Sequence, residues 1–330
     1  MKIKNNLPAL LLIPILVFLF CPYLYAQEES LRKVSFIPMW KPQAQFAGYY
    51  VAFDLGIYKK YGLNVTIIEG GPDFPPAQLL REGKADFGIM WLSAGIQRYS
   101  QGLKVVNIAQ IVQRSALMLV AKKSGGILKP QDMNGRKISL WEGDLSIQPK
   151  AFFRKYNLQV KIIPQAYTVN LFLKGGVDAV SAMWYNEYHT ILNSGINEDE
   201  LSTFFYDQYG LNFPEDGIYV LEDRFKKDPG LCRDFVKASI EGWLYAFEHQ
   251  DEALDIILKY MRQAGIPANR AHQRWMLARM KNIIIKKDSP SGSIGTLSKG
   301  DYQKVVQELR DSKLIESPAD FKEFYKPLNQ

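Results

Sequence analysis

The feature that most constrains the fold is a regular alternation of short β-rich runs with amphipathic stretches. Between LRKVSFIPMW (31–40) and KVVNIAQIV (104–112), four strand-like runs alternate with three helix-like stretches. The first of these helices is predicted from Gln45 to Tyr61, where Gly62 ends it. This βαβαβαβ order predicts a mainly parallel sheet with helices on both faces.

The same rhythm then restarts with ALMLVAKKSGG (116–126), which is followed by a small polar link, KPQDMNG (129–135), and the strand-like RKISLWEG. Strand-like runs then alternate with helical stretches as far as VDAVSAMW (177–184) and NEYHTILNSG (186–195). From about Gly217 one more strand, GIYVLED, precedes a segment that is almost entirely helical. The predicted class is therefore α/β, with two similar units in tandem and a helical C-terminal part. Helices are predicted over Asp251–Ala264, Asn269–Ile285 and Lys299–Leu314.

An apolar stripe marks one helix of the C-terminal part as facing the core. Its residues recur at i, i+3, i+4 and i+7, the period of one helix face. Cys232 lies on this stripe, so we expect a buried small side chain rather than a reactive thiol. The stripe consists of Cys232, Phe235, Val236, Ser239, Ile240, Trp243, Leu244 and Phe247.

The N-terminal 26 residues have the order of a secretory signal. Lys2 and Lys4 precede an apolar stretch over 7–20, and Cys21–Ala26 then leads into the polar QEES (27–30). The apolar core of about 14 residues is short for a spanning helix, so cleavage after Ala26 is predicted. A retained membrane anchor and a lipoprotein modified at Cys21 are the alternatives.

Composition narrows the class of protein further. The chain has 330 residues, of which 47% are hydrophobic and 23% charged, which is typical of a globular protein. Loss of residues 1–26 would remove Lys2 and Lys4 and lower the net charge from +7 to +5. The remaining basic residues form no long run, so a nucleic-acid partner is not expected. Cys232 would then be the single cysteine, and an exported chain without disulfides suits a bacterial periplasm.

No motif in the sequence indicates catalytic chemistry or a metal site. The three histidines, His189, His249 and His272, have spacings that match no zinc motif. A nucleophile elbow, a P-loop and a dinucleotide-binding glycine pattern are all missing from the sequence. No cofactor is therefore expected. Of three glycine doublets, Gly70-Gly71 is singled out because it follows a strand, where open α/β sheets bind ligands.

Aromatic residues instead concentrate where predicted strands end. Four of the six tryptophans lie at the carboxyl ends of strands, the edge at which both units would face a shared cleft. Flat indole and phenol rings stack on planar ligands, while Glu and Asn side chains bind the polar edge of a ring. The pattern predicts a site for a planar heterocycle. Its residues are Trp40, Trp91, Trp141 with Glu142, and Trp184 with Tyr185, Asn186 and Glu187.

Four segments together resemble the NMT1/THI5-like substrate-binding proteins of ABC transporters. The segments are FIPMWKPQAQFAGYYVAFDLGIYKKYGLNVTIIEGG (36–71), QLLREGKADFGIM (78–90), LMLVAKKSGGILKPQDMNGRKISLW (117–141) and GGVDAVSAMWYNEYHTILNSG (175–195). The family includes binders of thiamine pyrimidine precursors, of riboflavin-like compounds and, more distantly, of aliphatic sulfonates.

The resemblance implies a type II periplasmic-binding-protein fold. In it two Rossmann-like α/β lobes, joined by a two-strand hinge, close on the ligand like a clamp. Lobe one is expected to comprise 31–120 and 218–330, and lobe two 121–217. The chain should cross between the lobes near Val120–Lys122 and Asp216–Ile218.

The resemblance also assigns individual positions to the site. The aromatic residue after the first strand corresponds to Trp40, and the polar start of the first helix to Gln43 and Gln45. The G-x-Y of that helix falls on 48–50, with Tyr49 facing the cleft mouth. The aromatic–Asn–Glu element of the second lobe falls on Tyr185–Glu187. With the strand-end residues, the expected ligand-binding set is Trp40, Gln43, Gln45, Tyr49, Gly70, Trp91, Trp141, Trp184, Tyr185, Asn186 and Glu187.

One departure bears on the choice between binding and catalysis. Pyrimidine binders and the related synthases often have a histidine shortly before the helix glycine, where this chain has Phe46. The synthases consume that histidine and also use a lysine that holds pyridoxal phosphate and a cysteine-rich motif. With one cysteine in the mature chain, the resemblance favours binding over synthesis.

The function implied is a periplasmic solute-binding protein of an ABC importer. It would capture a small planar heterocycle such as a thiamine pyrimidine precursor and deliver it to a permease in the inner membrane. We expect a monomer. A thiamine pyrimidine synthase is the enzyme alternative, and a ligand sensor acting through a separate membrane signalling partner is the third hypothesis.

Overall fold

Two five-stranded sheets organise the protein. The computed structural model describes Met1, residues 31–285 and residues 294–328. The first sheet has the strand order β2-β1-β3-β10-β4 and the second the order β7-β6-β8-β5-β9. The strands are β1 (Arg32–Ile37), β2 (Leu63–Ile67), β3 (Phe87–Trp91), β4 (Val105–Gln110), β5 (Leu117–Lys122), β6 (Lys137–Leu140), β7 (Lys161–Pro164), β8 (Ala179–Met183), β9 (Leu201–Phe205) and β10 (Asp216–Leu221).

Thirteen α-helices accompany the strands within the described residues. Those before β10 alternate with the strands, and the rest follow it, as the sequence predicts. The helices are α1 (Ala47–Asp54), α2 (Ile57–Lys60), α3 (Pro76–Arg81), α4 (Leu92–Ser100), α5 (Ile147–Lys155), α6 (Asn170–Leu173), α7 (Glu187–Asn193), α8 (Glu222–Lys227), α9 (Pro229–Glu248), α10 (Gln250–Gln263), α11 (Arg270–Ile284), α12 (Lys299–Asp311) and α13 (Phe321–Phe324).

Both sheets are mixed but mainly parallel, as predicted, because in each of them four strands run in one direction and one runs against them. β1 pairs in parallel with β2 and β3, and β6 with β7 and β8. β10 runs antiparallel to β3 and β4, and β5 antiparallel to β8 and β9. The antiparallel strands are those that adjoin the connections between the sheets. Strand β9, whose five residues follow a polar turn, was not predicted from the sequence.

The chain passes between the sheets twice, through residues 111–116 and 206–215. The whole of β5 pairs within the second sheet, and β10 pairs within the first from Asp216 onwards. The outgoing connection therefore lies before β5, earlier than the predicted crossing at Val120–Lys122. The return connection ends where the second crossing was predicted to begin. Sheets and helices belong to one compact unit, Leu31–Gln330.

The first helical stretch is broken, unlike the single helix predicted over 45–61. Residues 44–46 form a 3-10 turn, α1 ends at Asp54, and α2 starts after Gly56. Gly56 has φ of 71°, in the left-handed region that favours glycine and interrupts a helix. The break turns α2 so that Tyr58 packs on α9 while β2 follows directly.

Helix α9 anchors the first sheet, as its apolar stripe predicts. Asp228 caps it by accepting a hydrogen bond from the backbone N–H of Leu231 at 2.8 Å, and Pro229 occupies its first position. Its Phe235 ring stacks on Phe87 of β3, with centroids 4.1 Å apart. Cys232 is fully buried, which confirms the expected packing role.

Among the described residues, no helix combines the length and the apolar character that crossing a membrane requires. The predicted export signal over 2–26, including Cys21 and the cleavage position after Ala26, lies outside the described residues.

Close packing of α1 against α9 yields the first testable prediction. A Cβ on Gly242 would lie 2.2 Å from the backbone oxygen of Gly48, so Gly242→Ala must force the helices apart. Overpacking of this kind costs about 1–3 kcal/mol, and the free energy of unfolding measured with denaturant should fall by that amount. Gly230→Ala in the first turn of the same helix is the control, since only Asp228 approaches, at 3.4 Å. Equal stability of the two variants would contradict this packing.

Candidate functional site

A cavity of about 160 Å³ lies where strand ends of the two sheets face each other. From the first sheet, Trp40 follows β1 and Trp91 ends β3; from the second, Trp141 follows β6 and Tyr185 follows β8. β1 and β3 are parallel neighbours, as are β6 and β8, so their carboxyl ends come together at one edge. The lining residues are Met39, Trp40, Gln43, Gln45, Trp91, Trp141, Leu145, Tyr167, Met183, Tyr185, Asn186 and Glu187. We call this space the polar chamber.

Aromatic rings form much of the wall of the polar chamber. Trp91, Trp141 and Tyr185 are all buried. Trp141 is held by a hydrogen bond from its indole N–H to the backbone oxygen of Ala166, at 3.3 Å. Trp40 meets Tyr167 across the cleft with ring centroids 5.1 Å apart and planes tilted by 59°. Such rings offer large flat faces to a planar ligand.

A chain of three side chains forms the polar wall on the side of the first sheet. Gln43 Nε2 donates to Gln45 Oε1 at 2.6 Å, and Gln45 Nε2 donates to Asp216 Oδ2 at 3.0 Å. Because a carboxylate only accepts, Asp216 orients the Gln45 amide, and Gln45 in turn orients Gln43. The carbonyl oxygen of Gln43 takes no part in these two hydrogen bonds.

On the side of the second sheet, Glu187 is the charged group. Its Oε2 accepts from the backbone N–H of Met183 at 3.0 Å, and its Oε1 accepts from Asn186 Nδ2 at 2.8 Å. His272 Nε2, on α11, donates to Asn186 Oδ1 at 2.8 Å and so fixes the Asn186 amide. Burial raises the pKa of Glu187 to about 7, against the lowering effect of these hydrogen bonds.

Two adjacent carboxyl groups, Glu215 and Asp216, lie buried beneath the chamber. Glu215 Oε1 accepts from the backbone N–H of Ala116 at 2.6 Å and from Ser115 Oγ at 3.1 Å, which ties the return connection to the outgoing one. Burial, with the neighbouring Asp216, raises the pKa of Glu215 to about 8. Burial likewise raises the pKa of Asp216 to about 7, against the effect of the Gln45 amide and the Trp91 indole.

The electrostatic character of the chamber follows from these groups. Of its lining residues, all within the described ranges, Glu187 is the only charged one, and neither Lys nor Arg is among them. Glu215 and Asp216 add acidic groups below it. The chamber therefore favours ligands that donate hydrogen bonds or carry positive charge, and disfavours anions.

Eight of the eleven residues expected from the sequence line this chamber: Trp40, Gln43, Gln45, Trp91, Trp141, Tyr185, Asn186 and Glu187.

The remaining three lie elsewhere. Tyr49 is buried in the core between Phe36 and Trp243 rather than at the cleft mouth. Trp184, in the turn after β8, packs edge-on against Phe205 and is not among the residues that line the chamber.

Gly70 is a packing position. A Cβ there would lie 2.2 Å from the backbone oxygen of Pro38 and 2.5 Å from that of Trp40. The glycine thus lets the loop that carries Trp40 approach closely, without lining the chamber itself.

Sequence reasoning missed several lining residues and the buried acids. Met39, Leu145 and Met183 are apolar neighbours of residues that were singled out, so only their adjacency to strand ends could have indicated them. Tyr167 lies in a loop, 66% exposed, and reaches the chamber only through the fold. Asp216 begins strand β10 directly after Glu215, and two adjacent acidic residues at the start of a strand could have indicated a polar site.

Comparison with known proteins places the chain in a family. The model of the family described as NMT1/THI5 like matches residues 43–253. The chain belongs to the NMT1/THI5-like family. This confirms the resemblance stated from the sequence.

Individual relatives and a solved structure agree with the family. The formylaminopyrimidine-binding protein of Halalkalibacterium halodurans is 23% identical over 302 residues, covering 89% of each chain. The 4-amino-5-hydroxymethyl-2-methylpyrimidine phosphate synthase of Legionella pneumophila is 20% identical, covering 87% of this chain and 91% of that one. The periplasmic aliphatic sulphonate binding protein SsuA from Escherichia coli superposes with a TM-score of 0.69 at 15% identity, covering 89% and 97%. The NMT1/THI5-like chain therefore has the predicted periplasmic-binding-protein fold.

The buried acids generate a prediction about stability. Their folded-state pKa values of about 7 to 8 lie above the value near 4 of an unfolded carboxyl, so the folded protein binds more protons across that window. Stability should accordingly fall as the pH rises from 5 to 8, by about 1 kcal/mol or more, in thermal or denaturant unfolding. Asp216→Asn should flatten this dependence.

Asp223→Asn, at an exposed position in the first turn of α8, is the matched control and should leave the slope unchanged. A protein that becomes more stable between pH 5 and 8 would contradict the protonation assigned to these groups.

Proposed function

We propose that this protein is the periplasmic solute-binding component of an ABC importer and that its ligand is a small planar heterocycle rich in hydrogen-bond donors. The thiamine pyrimidine precursors, which carry an amino group on a flat ring, are the class that fits. The observation that carries the proposal is an aromatic-walled chamber in which Glu187 is the sole charged lining residue among those described.

The hydrogen-bonding capacity of Glu187 supports an amino-bearing ring. Each carboxylate oxygen has two lone pairs, and the bonds from Met183 and Asn186 use one on each oxygen. A remaining lone pair can accept a hydrogen bond from a ring amino group. Hydrogen bonds to an ionised carboxylate are shorter and about twice as strong as neutral ones, so this contact would orient the ring.

The same geometry argues against a sulfonate ligand, which the similar SsuA of Escherichia coli binds by its name. A sulfonate carries a fixed negative charge and needs several donors. The chamber offers no Lys or Arg side chain among its described lining residues, and Glu187 would repel the anion. The formylaminopyrimidine-binding relative is thus the better guide to the ligand class.

Residues around the chamber support binding rather than synthesis. Phe46, at the position where the synthases have their histidine, is fully buried in the core. His189, His249 and His272 are not among the lining residues, and neither is Cys232. The described wall thus presents no imidazole or thiol that a reaction could consume.

Closure of the two sheets around the ligand is part of the proposal. Contacts cross the cleft on both sides of the chamber: Arg98 Nη2 lies 3.4 Å from Asp144 Oδ2, and Trp275 Nε1 donates to the backbone oxygen of Trp184 at 3.0 Å. Because the connections 111–116 and 206–215 join the sheets, a bend within them would open these contacts and admit the ligand. Cleavage after Ala26 and delivery to an inner-membrane permease complete the proposed route.

Glu187→Gln tests the proposed ligand contact. Removal of a charged acceptor should weaken binding of 4-amino-2-methylpyrimidine about ten- to a hundredfold in calorimetric titration, because such a hydrogen bond contributes about 1.5–3 kcal/mol. Trp40→Ala should also weaken binding through the lost stacking face.

Glu248→Gln is the matched control, since this carboxylate is exposed at the end of α9. His249→Ala serves as a second control. Folded Glu187→Gln and Trp40→Ala proteins that bind like the wild type would place the site elsewhere.

Small-angle scattering tests the clamp. If the sheets bend apart about their two connections, the ligand-free protein in solution should have a larger radius of gyration than the protein saturated with ligand. Arg98→Ala removes a contact across the cleft and should increase the ligand-free radius further. A radius that ligand leaves unchanged would count against closure.

A further inference from the structure

A second cavity, of about 340 Å³, lies beside the polar chamber. The two share Met39, Trp40, Trp91 and Leu145 as a common wall. We call the second space the apolar chamber. Because the indoles of Trp40 and Trp91 line both spaces, the two chambers are immediate neighbours.

The sizes of the two chambers differ in a way that matters for the ligand. Pockets that bury a whole small molecule usually have about 300–1,000 Å³. At about 160 Å³ the polar chamber falls below that range and has room for a single ring, whereas the apolar chamber has twice the volume. A ligand restricted to the polar chamber would leave the larger apolar space beside it unused.

The walls of the apolar chamber are flat and mostly hydrocarbon. Besides the indoles of Trp40 and Trp91, its lining includes Pro72 and Pro75, which precede α3, and Pro76, the first residue of α3. Pyrrolidine and indole faces pack best on another flat ring, and none of these groups requires a hydrogen bond from the ligand except the indole N–H.

Three charged residues are among those that line this chamber: Arg98, Glu142 and Asp144. Arg98 on α4 lies 3.4 Å from Asp144 in the turn before α5, and this pair spans the cleft. Arg98 also donates to Gln97 Oε1 at 3.0 Å, so its guanidinium is engaged by the protein.

We propose that the ligand has two parts: the donor-rich heterocycle in the polar chamber and an apolar second ring, attached to it, in the apolar chamber. This inference rests on the proposed function, since it takes the heterocycle in the polar chamber as given. It narrows the substrate class from single-ring pyrimidines to planar heterocycles that bear an aryl or similar flat apolar substituent.

Two probes and two chamber-filling variants test the inference. The probes are 4-amino-2-methylpyrimidine and its 5-benzyl derivative, titrated calorimetrically. The wild type should bind the benzyl derivative about ten- to a hundredfold more tightly, the gain expected from burying a phenyl-sized group. Ala94→Phe, on α4, and Ala77→Phe, half-buried on α3, both place a ring in the apolar chamber and should abolish that gain while leaving the parent pyrimidine bound as before.

Ala271→Phe, at an exposed position on α11, is the control and should keep the full preference for the benzyl derivative. A wild type that binds the parent pyrimidine but gains nothing from the benzyl group would overturn the second subsite and leave the proposed function standing. A gain that survives in both Ala94→Phe and Ala77→Phe would also overturn it. If neither probe binds the wild type, the proposed function fails and the inference fails with it.

Discussion

The buried acidic dipeptide at the start of β10 is the interaction on which the rest of the site depends. Glu215 accepts hydrogen bonds from Ala116 and Ser115, and so joins the two connections between the sheets. Asp216, the next residue, accepts from Gln45 and belongs to the first sheet. One short segment therefore holds the hinge and the floor of the polar chamber together. A carboxyl group buried this deeply is tolerated only because donors surround it or because it is protonated.

The orientation of the hydrogen-bonding groups in the chamber follows from that arrangement. Because Asp216 is the acceptor, Gln45 must direct its NH₂ group towards Asp216 and its carbonyl oxygen towards Gln43. On the opposite wall, His272 of α11 holds Asn186, and Asn186 in turn orients Glu187 in a comparable way. On each wall, residues further from the chamber thus fix the orientation of the side chains that line it. The preorganised acceptor groups favour a ligand that donates hydrogen bonds.

Local sequence patterns predicted most of the strands and helices and many of the residues that line the polar chamber. The alternation of strands and helices, the α9 stripe and the three later helices were all predictable, because each depends on the periodicity of its own segment. Strand ends marked by Trp40, Trp91, Trp141 and Tyr185 predicted the chamber, since carboxyl ends of parallel strands meet at one edge.

What the sequence did not reveal depends on contacts between distant segments. The antiparallel placement of β5 and β10 follows from the crossing between sheets, which no local period records. Tyr49 follows the predicted site residues Gln43 and Gln45 closely in sequence, yet its packing partner Trp243 lies almost two hundred positions away. Tyr167 reaches the chamber from a loop that carries no strand-end signal.

The most direct test of the account is a crystal structure of the protein with 4-amino-2-methylpyrimidine. The account predicts the ring in the polar chamber against Trp40 and Tyr185, with its amino group within hydrogen-bond distance of a Glu187 oxygen. A ring bound outside this chamber, or within it but with no donor directed at Glu187, would contradict the central claim.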